Sequence, residues 1–120
     1  MSFNFEKTNA ELGRAVNAHL EKCGVQTPMK PNGLGPREKI TRLENLFHEA
    51  LKVLGLDLDD DSLRETPSRI AKMFVNEIFW GLQPEAFPKC TAVDNKMLYD
   101  EMIVERKINV QSNCEHHFVV

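Results

Sequence analysis

The sequence predicts an α+β fold in which helices come first and an antiparallel sheet follows. Apolar residues recur every three or four positions up to about residue 88, and every second position beyond it. We therefore expect an N-terminal helical region over 1–88 and the start of an antiparallel sheet over 89–120. The apolar residues 118–120 have strand propensity and no following segment to pair with, so we expect this sheet to be incomplete.

The first helix is predicted from about Phe5 to Cys23. Its apolar residues share one helical face, and Gly24 is suited to the left-handed conformation that ends many helices. The next segment, 25–36, contains three prolines and two glycines. Because proline and glycine interrupt helices, this segment is predicted to be a loop.

Two further helices are predicted after this loop. The second has Pro36 near its first turn, carries a wide apolar face and ends at Gly55. The third begins with Thr66 as its N-cap and Pro67 at the first helical position. It is expected to end at Gly81, the next residue that favours helix termination.

The period of two beyond Pro88 predicts strands. We expect strands over 89–93 and 97–104 with a turn between them, and apolar and charged or polar residues alternate again over 104–110. Helices followed by such strands are the pattern of an α+β protein.

Composition excludes several classes of protein. Hydrophobic residues make up 42% and charged residues 28%, which is typical of a globular protein rather than a disordered one. No run approaches the roughly 18 apolar residues of a membrane span, and the N-terminus lacks the apolar core of a signal peptide, so we expect a cytoplasmic protein without a membrane partner. A net charge of −3 gives no support to nucleic-acid binding.

The segment Cys114-Glu115-His116-His117 is the strongest candidate for a chemical site. Cys114 and His117 are close enough in sequence for one tight segment to bring both to a metal, and thiolate with imidazole suits zinc. In an extended segment, His116 would point away from His117 and be free to transfer protons. The alternative is a polar strand end in which these residues cluster by chance.

The remaining histidines and cysteines do not have the sequence spacing that is typical of residues binding one metal ion. Cys23 and Cys90 are expected to be small core or interface residues, and His19 and His48 half-exposed helix positions. His19 and Cys23 are four residues apart and could share a helix face, although both also belong to the apolar stripe of the first helix.

A second candidate site surrounds Arg69, at the start of the third helix. Hydroxyls of Thr66 and Ser68, exposed helix N–H groups and this guanidinium are able to bind phosphate. The alternative is an ordinary capped helix with a basic solvent face.

Two motifs carry a resemblance to the GTP cyclohydrolase I family: ETPSRIAKM at 65–73 and SNCEHHF at 112–118. The resemblance extends from about Leu43 to Val120. It implies a zinc-dependent hydrolase that opens the purine ring of GTP and releases formate and 7,8-dihydroneopterin triphosphate, on the route to folates and pterins. It also implies the tunnelling fold (T-fold) and a homodecamer.

Matched position by position, the resemblance implies that Cys114 and His117 are zinc ligands. It implies that His116 is the catalytic residue that transfers protons and that Arg69 binds the triphosphate. The family's third zinc ligand and its guanine-binding residues fall outside this chain, so we expect the 120 residues alone to be inactive. The alternatives are a non-catalytic oligomerisation module of the same family and, less favoured, a small structural zinc module.

Overall fold

A computed structural model describes residues 5–119 of the chain. Contacts divide the chain into two units, with the boundary between Pro88 and Lys89. All helices among the described residues lie in the first unit, and no strand forms between residues 5 and 119. The helical part of the predicted α+β class is therefore present and the sheet is not.

Helix α1 spans Ala10–Cys23 and begins later than predicted. Asn9 is its N-cap, because the Asn9 side-chain oxygen accepts a hydrogen bond from the backbone N–H of Leu12 at 3.0 Å. At the other end Gly24 has a φ of 65°, the left-handed conformation that the sequence predicts.

Helix α2 spans Pro36–Val53 and starts at the proline predicted to lie in its first turn. It ends through Leu54 and Gly55, and Gly55 has a φ of 83°. Helix α3 spans Thr66–Met73 with Glu65 as its N-cap, one residue before the predicted cap. Thr66 is therefore the first helical residue.

Helix α3 does not continue as a regular helix to Gly81. A π-helical turn follows at Phe74–Ile78, closed by a hydrogen bond from the Phe79 N–H to the Phe74 carbonyl at 3.0 Å. The Gln83 side-chain amide donates to the Val75 carbonyl at 3.2 Å. Short 3₁₀ turns then form at Trp80–Leu82 and Pro84–Ala86.

The core of the first unit lies between α2 and α3 and beneath the last 3₁₀ turn. The Phe74 ring centroid is 5.1 Å from that of Phe47 on α2 and 5.6 Å from that of Phe79. Ala71 on α3 is completely buried. Helix α1 approaches the Pro84–Ala86 turn closely at Gly13, which is buried. A side chain at this position would clash with the turn, so the contact requires glycine.

The strands predicted over 89–93, 97–104 and 104–110 are not observed. A strand is stabilised by hydrogen bonds to a neighbouring strand, and the described residues 89–119 contain no paired strand to supply them. A local turn forms instead, in which the Asn95 side chain accepts from the Tyr99 N–H at 2.9 Å and donates to the Tyr99 carbonyl at 2.7 Å. The assignment of 89–120 to a T-fold sheet stays a prediction.

The helices among residues 5–119 also bear on membrane insertion. None of the helices there combines the length and the apolar character that a membrane span requires.

Candidate functional site

A turn at 114–119 brings Cys114 together with both histidines of the second unit. The Phe118 N–H donates to the Cys114 carbonyl at 2.9 Å, and the Cys114 N–H donates to the Val119 carbonyl at 2.8 Å. Phe118 has a φ of 57°, which turns the backbone back toward Cys114. These two hydrogen bonds are local, so the turn forms without a neighbouring strand.

Cys114 and His117 lie close to the spacing of two ligands on one zinc ion. The Cys114 Sγ is 3.3 Å from the His117 Nδ1, and Cys114 is half-buried while His117 is exposed. Sulfur and nitrogen bound to one tetrahedral zinc ion at about 2.3 and 2.0–2.1 Å lie about 3.6 Å apart. The two side chains therefore fit zinc as a pair of ligands with a small adjustment. Across residues 5–119, no group of three or more His, Cys, Asp or Glu side chains is arranged so that it could hold a metal ion.

His116 does not point away from His117 as an extended segment would require. Residues 115–117 form a turn, and the His116 Nδ1 is 3.8 Å from the same Cys114 sulfur. Its Nε2 is 3.9 Å from the Glu115 carboxylate. The prediction from strand alternation is wrong at this point because the backbone is curved rather than extended. Both imidazoles consequently lie beside the thiol.

Arg69 lies in the first unit and is held by two hydrogen bonds from its guanidinium. The Nη2 donates to the Ser62 carbonyl at 3.0 Å and to the Thr66 hydroxyl at 2.8 Å. The side chain is exposed, and a guanidinium has five N–H donors, so donors remain for an anion. The arrangement is able to bind phosphate in a fixed orientation near the start of α3.

Sequence reasoning missed the partners that orient Arg69. The hydroxyl of Thr66 stands one helical turn before Arg69, and this three-residue spacing on a helix is a usable signal. The Ser62 carbonyl belongs to the preceding loop and carries no sequence signal, because any residue there would offer a carbonyl.

The other cysteines are not core residues. Cys23 and Cys90 are both exposed, so the core interpretation is wrong for them. In α1 the half-buried positions include Val16 and Leu20, whereas Cys23 is exposed at the C-terminal end of the helix. His19 is exposed as well, and its Nε2 is 3.6 Å from the Cys23 sulfur.

Comparison with known proteins identifies the family. The sequence profile of the GTP cyclohydrolase I family matches residues 43–120, a range that contains Arg69 and the whole 114–119 turn. The chain belongs to the GTP cyclohydrolase I family. It is 53% identical over 104 residues to GTP cyclohydrolase 1 of Aeromonas salmonicida strain A449, a match that covers 87% of this chain and 48% of that protein.

Other GTP cyclohydrolase 1 proteins give similar matches. The chain is 50% identical over 110 residues to that of Vibrio cholerae and 49% identical over 110 residues to that of Shewanella sp. strain ANA-3. Each match covers 92% of this chain and 51% of the relative. The chain thus spans about half the length of the curated relatives it matches.

Proposed function

We propose that this chain acts within a GTP cyclohydrolase I, which hydrolyses the purine ring of GTP and yields formate and 7,8-dihydroneopterin triphosphate. The observation that carries the proposal is the 3.3 Å approach of the Cys114 sulfur to the His117 imidazole. Membership of the family supports the reaction, because the relatives named above are GTP cyclohydrolases.

Cys114 and His117 are the proposed zinc ligands. The thiolate sulfur and the imidazole Nδ1 are donors that zinc prefers, and they are close enough to share one ion. When bound, Zn²⁺ lowers the pKa of water and so makes water nucleophilic at neutral pH. A catalytic zinc site usually has three protein ligands, and we expect the third from the part of the enzyme that the relatives have in addition.

His116 is the proposed catalytic residue. It is exposed and lies beside the ligand pair, with its Nδ1 3.8 Å from the Cys114 sulfur. Histidine transfers protons at neutral pH, so His116 can protonate the purine nitrogen as the five-membered ring opens. Glu115, 3.9 Å from the other ring nitrogen, can orient the imidazole.

Arg69 is the proposed triphosphate-binding residue. Its hydrogen bonds to Ser62 and Thr66 fix the guanidinium before substrate arrives, which reduces the entropy lost on binding. The remaining N–H donors suit two oxygens of one phosphate.

The fold of residues 89–120, the oligomeric state, the location and the pathway are also part of this proposal. We expect residues 89–120 to join the T-fold sheet of a cytoplasmic homodecamer that serves folate and pterin synthesis. Apolar side chains of this region support the sheet assignment, because Ile103 and Val110 are both 80% exposed and would be covered by neighbouring strands. The same exposed residues favour a second candidate function, a module that associates with copies of itself without catalysis.

A chimera tests the proposal and separates the two candidates. Residues 1–120 replace the matching segment of the Aeromonas salmonicida relative, and formate release from GTP is measured together with zinc content by elemental analysis. We expect turnover and one zinc per subunit, both abolished by Cys114→Ala and retained in Cys90→Ala. The 120-residue chain alone should show no turnover with zinc added. A chimera that assembles but binds no zinc and releases no formate would favour the association module.

A further inference from the structure

A second pair of side chains of the types that bind metals, His19 and Cys23, is exposed near the C-terminal end of α1. His19 and Cys23 are one helical turn apart, and the His19 Nε2 is 3.6 Å from the Cys23 Sγ. The pair stands outside the range 43–120 that the family profile matches, and the proposed reaction uses neither residue.

We propose that His19 and Cys23 form a surface site for Zn²⁺, separate from the one proposed at Cys114. Tetrahedral zinc with sulfur at about 2.3 Å and nitrogen at about 2.0–2.1 Å places those two ligand atoms about 3.6 Å apart. The observed separation matches that spacing, so both ligand atoms lie within reach of one ion. The sequence alone predicts no chelating spacing for this pair, but both residues lie on one helix, where a four-residue spacing is the one by which paired histidines bind zinc in other proteins.

Neither His19 nor Cys23 is part of the core. Helix α1 packs through the face that contains Gly13, which is buried, and through Val16 and Leu20, which are half-buried. His19 and Cys23 are both exposed, so an ion reaches the two ligand atoms directly from solvent.

The end of the helix favours a bound cation. Cys23 is the last residue of α1, where the backbone carbonyls give the helix a partial negative charge. Glu21 and Lys22 are in the same turn and are exposed, so their opposite charges leave little net side-chain charge near the site. Binding replaces the thiol proton of Cys23 by the metal and releases that proton to solvent, and water molecules complete the coordination.

Cobalt titration of the full chain tests the site. Co²⁺ is added to a Cys114→Ala/His117→Ala variant, and the near-ultraviolet charge-transfer band from thiolate to cobalt is followed together with the visible bands of tetrahedral Co²⁺. We expect a saturable thiolate band that Zn²⁺ displaces. Cys23→Ala should abolish it. Loss of even an outer-shell partner typically weakens metal binding about 10- to 100-fold, so His19→Ala should weaken Co²⁺ binding at least about tenfold.

Two matched controls use an exposed cysteine and an exposed histidine elsewhere. Cys90→Ala and His48→Ala, made in the same double variant, should leave the titration unchanged. Far-ultraviolet circular dichroism checks that α1 remains helical in each variant. A band that persists in Cys23→Ala, or a Co²⁺ affinity that His19→Ala leaves unchanged, overturns the proposal.

Alkylation of the unsubstituted chain gives an independent test. Iodoacetamide modification at each cysteine is followed by mass spectrometry with and without Zn²⁺. We expect Zn²⁺ to slow modification of Cys23 but not of Cys90. Equal rates at Cys23 with and without Zn²⁺ overturn the site whether or not the variants fold.

Discussion

The helical region 5–88 and the region 89–119 differ in where their hydrogen bonds come from. Helices α1, α2 and α3 satisfy their backbone groups internally, and neighbours in sequence complete the ends, as Asn9 does for α1. Residues 89–119 have apolar residues at strand-like spacing but no helix or strand, and almost every one of them is exposed. Helical order is therefore local in this chain, whereas strand order depends on partner strands.

The turn that brings Cys114 and the two histidines together nevertheless forms from local interactions. The 114–119 turn is closed by two local hydrogen bonds, which Cys114 makes with Phe118 and Val119. Cys114 and His117, the proposed ligand pair, are consequently close together although the predicted sheet is not formed, and this contrast can be tested in both regions.

The largest expected effect concerns the two histidines of the turn, in the chimera described above. His117→Ala should remove zinc, because it deletes a ligand, whereas His116→Ala should keep zinc and lower kcat about 10²- to 10⁴-fold by removing proton transfer. Zinc content and kcat are measured on both variants. If His116→Ala lost zinc and His117→Ala retained it, His116 would be the ligand and His117 the proton-transfer residue. The turn allows either assignment because both imidazoles lie beside Cys114.

Arg69 tests whether the helical region contributes to the same reaction. Hydrogen bonds to charged groups are worth about 1.5–3 kcal/mol, so Arg69→Ala should weaken GTP binding about 10- to 100-fold while affecting guanosine far less. Isothermal titration of both ligands with the chimera measures this difference. Arg64→Ala is the matched control, since Arg64 pairs with Asp61 on the loop before α3. Equal losses for GTP and guanosine in Arg69→Ala would show that this residue does not contact the phosphates.

Gly13 tests how closely the helical region is packed. A Cβ atom at this position would lie 2.5 Å from the Pro84 carbonyl oxygen and 2.7 Å from the Phe87 Cβ. Because backbone has to move, Gly13→Ala should lower the free energy of unfolding by about 1–3 kcal/mol in urea titrations followed by circular dichroism. Gly81→Ala, where nothing lies within 4 Å of the added atom, is the control. A Gly13→Ala variant as stable as the unsubstituted chain would contradict this close contact.

The smallest expected effect is the pH dependence of the loop before α3. The Ser62 hydroxyl and N–H donate to the Asp60 carboxylate, which lowers the pKa of Asp60 below its ordinary value of 3.8. Since the folded pKa is the lower one, these bonds stabilise the fold fully above that value and are lost as pH falls through the folded pKa. Asp60→Ala should therefore lower the thermal midpoint near neutral pH and have less effect in acid. Asp59→Ala is the control, and a pH-independent difference would argue against the carboxylate.

The sequence predicted the helices because their signals are local. Pro36 begins α2, and Gly24 and Gly55 have positive φ where the helices end. The strands over 89–110 were not observed, because alternation identifies residues suited to a strand without supplying its partner.

The candidate site, like the fold, was predictable where it depends on residues that are close in sequence. The spacing of Cys114 and His117 gave their proximity, which the structure has at 3.3 Å. The direction of His116 was not predictable, since it depends on whether the backbone is extended or turned. The exposure of Cys23 was missed for a related reason: a cysteine fits an apolar stripe by composition, but only packing decides how much of the length of the stripe is covered.

The π-helical turn at Phe74–Ile78 determines the direction, about the helix axis, in which the following segment leaves α3. Successive residues of an α-helix are rotated by about 100°, so one additional residue in a turn rotates the next segment by about that angle. The Gln83 amide secures this rotation by occupying the Val75 carbonyl, and the rotated segment then brings Pro84 against Gly13. A one-residue deletion between Phe74 and Gln83 would undo the rotation and separate α1 from its contact. The number of residues in this segment is therefore part of what positions Pro84 against Gly13.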